Sequence, residues 1–323
     1  MKLPLPLLFG LNCILLACSC ERKPVTTVPE PAETSADKSA PAETTSAEPL
    51  PVVWALSKGV AAPESTYLDQ KSGFLFVSQI GEGGGMAKDG DGWISKLTPE
   101  GKVIEEKWAT GLNAPKGLRS TGDKLWVADI DRFLAFSIKS GKQVAEVKVP
   151  GAKFLNDLAC AKDGTVYVSD MIAGKIYQYK EETLSLSVLI EGDQIEHPNG
   201  LLIQKAKLII GGWGQGIQDD FSTKKLGRLL SLDLKSGEIT PITPKPIGNL
   251  DGVESDGADG FVVTDWIAGR VMHITAEGKS RVLATFPKGV ADHAYLADKK
   301  WLILPEMLEN KITAFDLSKA LKP

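Results

Sequence analysis

Six short apolar segments recur along this chain at intervals of about 40 to 53 residues, a period that is typical of propellers and other repeat arrays. Each segment is rich in β-branched and aromatic residues, and most follow a turn signal such as Ser72-Gly73 or Asp163-Gly164. The repeat therefore predicts a fold built from one small unit used six times. The six segments begin at Gly73, Lys124, Thr165, Lys207, Gly260 and Lys300.

The order of elements within each repeat predicts an all-β fold. A short strand precedes each apolar segment, and two further strands follow it. No amphipathic stretch of helical length separates the strands, which excludes parallel α/β folds. Four antiparallel strands, six times, predict a six-bladed β-propeller, in which radial repetition protects the sheet edges. The last repeat ends after its third strand at Leu317, so we expect residues 52–56 to supply the missing outer strand and close the ring.

The N-terminus has the pattern of a secreted lipoprotein. Residues 1–17 form a short apolar stretch behind Lys2, which fits a signal peptide and is too short to span a bilayer. Its end, Leu15-Leu16-Ala17-Cys18, resembles the lipobox of bacterial lipoproteins, in which the cysteine receives the lipid. The alternative is an ordinary signal peptide with an incidental cysteine. Because no Asp follows Cys18, we expect a periplasm-facing lipoprotein of the cell envelope, with the outer membrane favoured.

Composition separates the rest of the chain into a spacer and a domain. Residues 18–50 are rich in Pro, Ala, Thr, Ser and Glu and are predicted to be a disordered tether. Residues 51–323 are predicted to form the propeller. They contain a single cysteine, Cys160, so no disulfide framework is expected within them. The net charge of −4 argues against nucleic-acid binding. A monomer that meets the membrane only through its lipid is expected.

Polar residues at the start of the innermost strands form the candidate site. In a propeller these positions converge on one mouth of the central channel. Carboxylates and carboxamides there make an all-oxygen environment that suits Ca²⁺ or Mg²⁺. The alternative is that Asn and Asp simply recur at turns, where they bond their own backbone. The six residues are Glu64, Lys116, Asn156, Asn199, Asp251 and Asp292.

Four of these positions resemble motifs of a known family of propellers. The chain is similar to the gluconolactonase, senescence-marker-protein (regucalcin) and luciferin-regenerating-enzyme-like family, here in a bacterial lipoprotein form. The resemblance covers about residues 52–317, although blade one lacks the family's usual residues after Glu64-Ser65. The matching motifs are Glu64-Ser65, Asn156-Asp157, Asn199-Gly200-Leu201 and Asp251-Gly252.

The resemblance implies a divalent-cation site. Glu64, Asn199 and Asp251 would bind the cation, and Asn156 would be a fourth ligand or a catalytic substrate contact. Ca²⁺ is expected, with Mg²⁺, Mn²⁺ or Zn²⁺ as alternatives. A cation there would polarise an ester-like carbonyl, and Asp251 or an activated water would start hydrolysis. Some family members also imply a second, structural calcium ion, which would lie at Glu254 and His293.

Other residues near the predicted site have open roles. Lys116 would repel a dication, so we expect it to point away along the surface, to pair with Asp129 or Asp157, or to contact an anionic substrate. His197 and Asp292 are further candidate substrate contacts. Two long loops, residues 79–92 and 213–227, are predicted on the same face, where loops often set specificity.

The sequence therefore predicts a divalent-metal-dependent hydrolase that opens a sugar lactone or a related small-molecule ester. The alternative is a non-catalytic propeller that binds a ligand or protein partner at its channel face. Lys116 and the altered blade-one motif favour the alternative.

Overall fold

The computed structural model describes residues 49–322, so the predicted signal peptide, Cys18 and most of the predicted tether lie outside the described residues. The described chain forms six four-stranded antiparallel sheets, which confirms the predicted six-bladed β-propeller. Within this range, none of the helices has the length and apolar character required to cross a membrane.

Blades one to three use consecutive strands, ordered from the channel outward. Blade one comprises β2 (Pro63–Asp69), β3 (Phe74–Gln79), β4 (Gly92–Leu97) and β5 (Val103–Leu112). Blade two comprises β6 (Pro115–Thr121), β7 (Lys124–Asp129), β8 (Arg132–Ser137) and β9 (Gln143–Lys148). Blade three comprises β10 (Leu155–Cys160), β11 (Thr165–Asp170), β12 (Lys175–Lys180) and β13 (Ser185–Glu191).

Blade four carries an insertion, and blade six takes its outer strand from the start of the domain. Blade four comprises β14 (Pro198–Gln204), β15 (Lys207–Gly212), β18 (Leu229–Asp233) and β19 (Ile239–Pro241), with the inserted hairpin β16 (Gly214–Ile217) and β17 (Thr223–Leu226). Blade five comprises β20 (Leu250–Ser255), β21 (Phe261–Asp265), β22 (Arg270–Ile274) and β23 (Ser280–Thr285). Blade six comprises β24 (Ala294–Leu296), β25 (Trp301–Glu306), β26 (Lys311–Asp316) and β1 (Val52–Leu56). Three short 3-10 helices span Glu181–Thr183, Asp193–Ile195 and Met307–Glu309.

The ring closes as the sequence predicts. Strand β1 pairs antiparallel with β26, from Val52 opposite Phe315 to Leu56 opposite Ile312. Trp54 of β1 also donates a hydrogen bond from Nε1 to the carbonyl of Pro99 in blade one, at 3.0 Å. The first strand of the domain therefore completes the last blade and contacts the first.

The core consists of apolar clusters that join neighbouring blades. The cluster between blades one and two, for example, packs Trp108 of blade one against Phe136 of blade two with ring centroids 6.3 Å apart. The second strand of each blade, which carries the recurring apolar segment, is almost completely buried. The repeat that dominates the sequence is therefore the packing layer of the propeller.

Candidate functional site

An irregularity in strand register places the predicted site residues. It interrupts the innermost strand in blades one to five, at the same point in each. Such bulges turn side chains out of the regular alternation and are common beside active sites. The first residue within each of these irregularities is polar: Glu64, Lys116, Asn156, Asn199 and Asp251.

Hydroxyl side chains of the second strand hold three of these irregularities in place. In blades one, three and five, a backbone N–H next to the site residue donates a hydrogen bond to a Ser or Thr Oγ. A buried N–H without a partner would be costly, so each hydroxyl stabilises the bulge beside it. These bonds join Ser65 to Ser78, Asp157 to Ser169 and Gly252 to Thr264, at 2.8 to 2.9 Å.

The aspartates that end several apolar segments have a structural role. Asp129 accepts hydrogen bonds from the backbone N–H groups of Asn113 and Ala114, at 2.8 to 3.1 Å. Asp170 and Asp265 do the same in blades three and five. These carboxylates fix the turn that leads into the innermost strand, so they position the site without lining it.

Glycines beside the site residues allow the innermost strands to approach closely. A Cβ on Gly200 would lie 1.9 Å from the carbonyl oxygen of Asp251, and one on Gly117 would lie 2.1 Å from Asp157 Oδ1. A Cβ on Gly252 would lie 2.7 Å from Nδ1 of His293. The glycines that follow Lys116, Asn199 and Asp251 are therefore required by packing between neighbouring blades.

The five bulge residues line one cavity of about 180 Å³. Glu64, Asn156, Asn199 and Asp251 are 1 to 6% exposed. The structure thus brings together all four side chains that the sequence suggests as metal ligands, and it brings Lys116 to the same cavity.

Burial of the two carboxylates opposes their ionisation. The pKa of Glu64 lies well above its ordinary value because burial disfavours the charged form and Asp251 adds a negative charge nearby. The pKa of Asp251 is raised well above its ordinary value in the same way, by burial and then by Asp292 and Asp157. A cation in the cavity would reverse both effects.

The donor set fits a hard divalent cation. Oε2 of Glu64 and both amide atoms of Asn199 are buried without a hydrogen-bond partner among the described residues, an arrangement that folded proteins rarely tolerate. In the part of the chain described, no three His, Cys, Asp or Glu side chains are arranged to hold a metal. A cation here would therefore be held by two carboxylates together with the amide oxygens of Asn156 and Asn199, ligands that suit Ca²⁺.

Lys116 is buried, so the expectation of a lysine lying along the surface is wrong. It is 1% exposed, and its Nζ donates hydrogen bonds to the carbonyls of Ala114 at 2.8 Å and Gly85 at 3.0 Å. The ammonium lies 4.5 Å from the ring centroid of Phe154. Burial lowers the pKa of Lys116 to about 8, although Glu64 and Asp129 oppose the shift. Lys116 thus ties the blade-one loop to the cavity.

A second buried cation, Arg119, lies three residues further along the same strand. Its guanidinium approaches Glu254 at 3.0 Å, Asp292 at 3.5 Å and Asp157 at 3.8 Å. His293 is fully buried, and its pKa is lowered to about 3 by burial and by Arg119. Glu254 and His293 are the residues expected to hold a second metal ion, and the guanidinium disfavours a second cation beside them.

The other two candidate substrate contacts lie away from the cavity lining. Asp292 accepts a hydrogen bond from Ser65 Oγ at 2.5 Å and faces Arg119. Nδ1 of His197 lies 2.8 Å from the carbonyl oxygen of Met171. Both residues therefore support the surroundings of the site.

The two long loops reach the cavity, as their place in the repeat predicts. Gly85 and Met86 come from the blade-one loop, and Trp213 and Phe221 come from the blade-four insertion. Asn249 holds the insertion: its Nδ2 donates to the carbonyl of Trp213 at 2.7 Å and to Thr223 Oγ1 at 2.8 Å.

Sequence reasoning missed the apolar walls and the buried charges around Arg119. The five bulge residues form the polar base of the cavity. Its walls are formed by apolar side chains from every blade except blade two. No repeat in the sequence marks them, because they come from loops of several different blades. Only the lengths of the two long loops were a signal. They comprise Ile80, Met86, Phe154, Met171, Trp213, Phe221, Trp266, Met307 and Leu308.

No protein-family model and no curated protein sequence matches this chain. Among solved structures, the fold is similar to a gluconolactonase from Xanthomonas campestris, with a TM-score of 0.62, 14% identity, and coverage of 80% of this chain and 86% of that one. It is also similar to a catalytically inactive virginiamycin B lyase from Staphylococcus aureus with quinupristin, with a TM-score of 0.55, 15% identity, and coverage of 82% and 98%. A streptogramin B lyase gives a TM-score of 0.55 at 13% identity, with coverage of 81% and 96%. At such identities the similarity shows the fold alone.

Proposed function

We propose that this protein is a divalent-cation-dependent hydrolase of a lactone or a related ester. The observation that supports it most is the convergence of Glu64, Asn156, Asn199 and Asp251 on one buried cavity, with polar atoms of Glu64 and Asn199 left without partners. A gluconolactonase and streptogramin lyases share the fold, which is compatible with the proposal.

The chain's own residues divide the chemistry between them. A divalent cation, with Ca²⁺ preferred, would polarise the ester carbonyl and favour the ionised form of Asp251. Ionised Asp251 accepts a proton from the water whose oxygen attacks the carbonyl carbon. The bond between that carbon and the leaving oxygen then breaks, and the leaving oxygen takes the proton back from Asp251. Glu64, Asn156, Asn199 and Asp251 would hold the cation, and Asn156 would also orient the substrate.

The test combines metal binding with turnover. We expect purified protein to bind one Ca²⁺ per chain by calorimetry and to hydrolyse members of a lactone and aryl-ester panel. Asp251→Ala should lose at least about a thousandfold in kcat/KM, since it removes the base, while its circular dichroism stays unchanged. Asp259→Asn, an exposed carboxylate paired with Lys205, is the matched control and should keep full activity. Absence of Ca²⁺, Mg²⁺, Mn²⁺ and Zn²⁺ binding at millimolar concentration would rule the hydrolase out.

Lys116 supports a second candidate function, a non-catalytic propeller that binds a small ligand. Its buried ammonium lies at the same cavity as the candidate ligands and already supplies a positive charge near Glu64. In that case the cavity would bind its ligand without a metal, and Asp251→Ala would change affinity while no ester was turned over.

We also propose that the protein is a lipoprotein of the bacterial cell envelope, facing the periplasm and anchored in the outer membrane by lipid on Cys18. The apolar stretch before Cys18 and the lipobox-like Leu15-Leu16-Ala17-Cys18 support this. It would act as a monomer on a small molecule. Metabolic labelling with palmitate should give a lipid-modified band that Cys18→Ser abolishes. Equal labelling of the variant would refute the assignment.

A further inference from the structure

We infer that the substrate has an apolar body, an alkyl or aryl group attached to the ester or lactone, and that the ester is not a polyhydroxylated sugar lactone. This inference rests on the proposed hydrolase function and names its substrate class. The division of the cavity into a polar base and apolar walls supports it.

Apart from the indole N–H groups of Trp213 and Trp266, the walls offer no polar side-chain group to a substrate. Apart from the five polar residues at the base, every residue that lines the cavity is apolar or glycine. A sugar lactone carries several hydroxyl groups, and each one buried without a partner weakens binding. An apolar body loses no hydrogen bonds on burial and gains about fourfold in binding for each methylene.

The aromatic side chains of the wall pack against one another without a ligand. Trp213 is 3% exposed and packs against Trp266 with ring centroids 6.1 Å apart, and Phe154 lies 5.8 Å from Phe221. The indole Nε1 of Trp213 already donates to the carbonyl of Phe221 at 2.8 Å, so it is not free to bind a sugar hydroxyl. A preformed apolar wall binds without the cost of ordering side chains.

The blade-four insertion, which carries Trp213 and Phe221 of this wall, is anchored at two points. Asn249, at the start of blade five, donates one hydrogen bond to Trp213 and another to Thr223 of β17. The same asparagine is 3% exposed, so the anchor is well packed. The hairpin therefore sets the distance between the aromatic wall and the polar base.

The size of the cavity limits the apolar body. A cavity of about 150 Å³ in another protein holds a benzene molecule, and the cavity here measures about 180 Å³. The cavity must also hold the ester group at its polar base, so the apolar body that fits is small, on the order of one ring or a short alkyl chain. Phe221 is the residue we expect to determine specificity, because it belongs to the insertion and faces Phe154 across the wall.

The experiment measures kcat/KM for a series of δ-lactones of increasing alkyl length, with glucono-δ-lactone for comparison. We expect kcat/KM to rise about fourfold per methylene until the cavity is filled, and to be lowest for the sugar lactone. Phe221→Ala should lower kcat/KM at least tenfold for the longest lactone that the wild type accepts, and less than threefold for unsubstituted δ-valerolactone. Phe74→Ala, an aromatic residue packed outside this cavity, should change neither.

A binding measurement separates this inference from the proposed function. Alkyl δ-lactams have the shape of the lactones and resist hydrolysis. Calorimetry with wild type should show tighter binding as the alkyl group lengthens, and weaker binding in Phe221→Ala, even in a protein that turns over no lactone. Faster turnover of the sugar lactone than of the alkyl series, or lactam affinity that is independent of alkyl length, would overturn the inference.

Discussion

Gly200 shows how a single residue determines the geometry of the site. It follows Asn199 on β14 and faces β20, the innermost strand of the next blade. A Cβ at this position would lie 1.9 Å from the backbone carbonyl oxygen of Asp251. Backbone cannot move aside as a flexible side chain can. The two strands would have to separate, and the candidate ligands on them would separate too.

Substituting Gly200 should therefore damage both stability and function. We expect Gly200→Ala to lower the free energy of unfolding by about 3 kcal/mol, in the range of severe overpacking, and to weaken Ca²⁺ binding at least tenfold. Denaturant unfolding and calorimetry measure the two effects.

Gly122→Ala is the control for this substitution. Gly122 has φ +65 and nothing within 4 Å of a Cβ, so alanine there costs only backbone strain, about 1 kcal/mol. Equal losses in both variants would show that close packing of the innermost strands is not what requires Gly200.

Lys116 and Arg119 are close in sequence, but their side chains contact different parts of the structure. Both lie on β6, three residues apart, and both are buried. Lys116 turns to the cavity and to Gly85, whereas Arg119 turns to Glu254 and Asp292. The register irregularity between Pro115 and Leu118 interrupts the regular alternation of this strand, so spacing alone could not predict where each side chain points.

Among the strands, β1 pairs with the partner that is most distant from it in sequence. It pairs with β26 and completes blade six, and Trp54 on it packs into the cluster between blades six and one. Without β1, the edge of β26 would be exposed, and exposed edges invite association.

Trp54→Ala should open this closure. Because Trp54 is only partly buried, we expect a loss of about 2 kcal/mol in the free energy of unfolding, less than for a fully buried tryptophan. Thermal unfolding should show a Tm lower by several degrees, with more aggregation on heating. Val53→Ala, on the same strand but 39% exposed, should change Tm by a degree or less. A Tm for Trp54→Ala within a degree of wild type would argue that ring closure does not depend on this contact.

At the scale of the whole propeller, the channel concentrates negative charge in a buried place. Burial raises the pKa of Asp157 to about 8 and that of Glu254 to about 7, although Arg119 opposes both shifts. A carboxyl whose pKa is higher in the folded state binds its proton more tightly there. Its contribution to stability is therefore complete below the unfolded pKa and is lost as pH rises through the folded pKa.

Glu254→Gln should make this loss visible in the metal-free protein. As pH rises from about 4.5 to about 7, wild type should lose stability relative to Glu254→Gln, by at most about 1.4 kcal/mol per pH unit for one proton. Denaturant unfolding in EDTA across this range measures the difference in stability between the two proteins. His293 is present in both, so its own pH dependence cancels in that difference. A difference that does not change with pH would contradict the raised pKa of Glu254.

The sequence by itself determined the architecture and the positions of the site. The six apolar segments pack as predicted because burial of a β-branched strand is a local property that the chain carries in every repeat. The starts of the innermost strands converge because a closed ring brings equivalent positions together. The spacing of the repeats therefore placed Glu64, Asn156, Asn199 and Asp251 at one cavity, although it predicted Asp292 there as well.

Only the tertiary structure decided which charges enter the channel and what surrounds the polar base. The buried ammonium of Lys116, the guanidinium of Arg119 and the apolar wall of Phe154, Trp213 and Phe221 depend on bulges and on loops from different blades. Such contacts join residues far apart in sequence, and no local pattern carries them. For that reason the sequence predicted a sugar lactone or a related ester without distinguishing between them, and the proposal of an apolar substrate rests on the cavity walls.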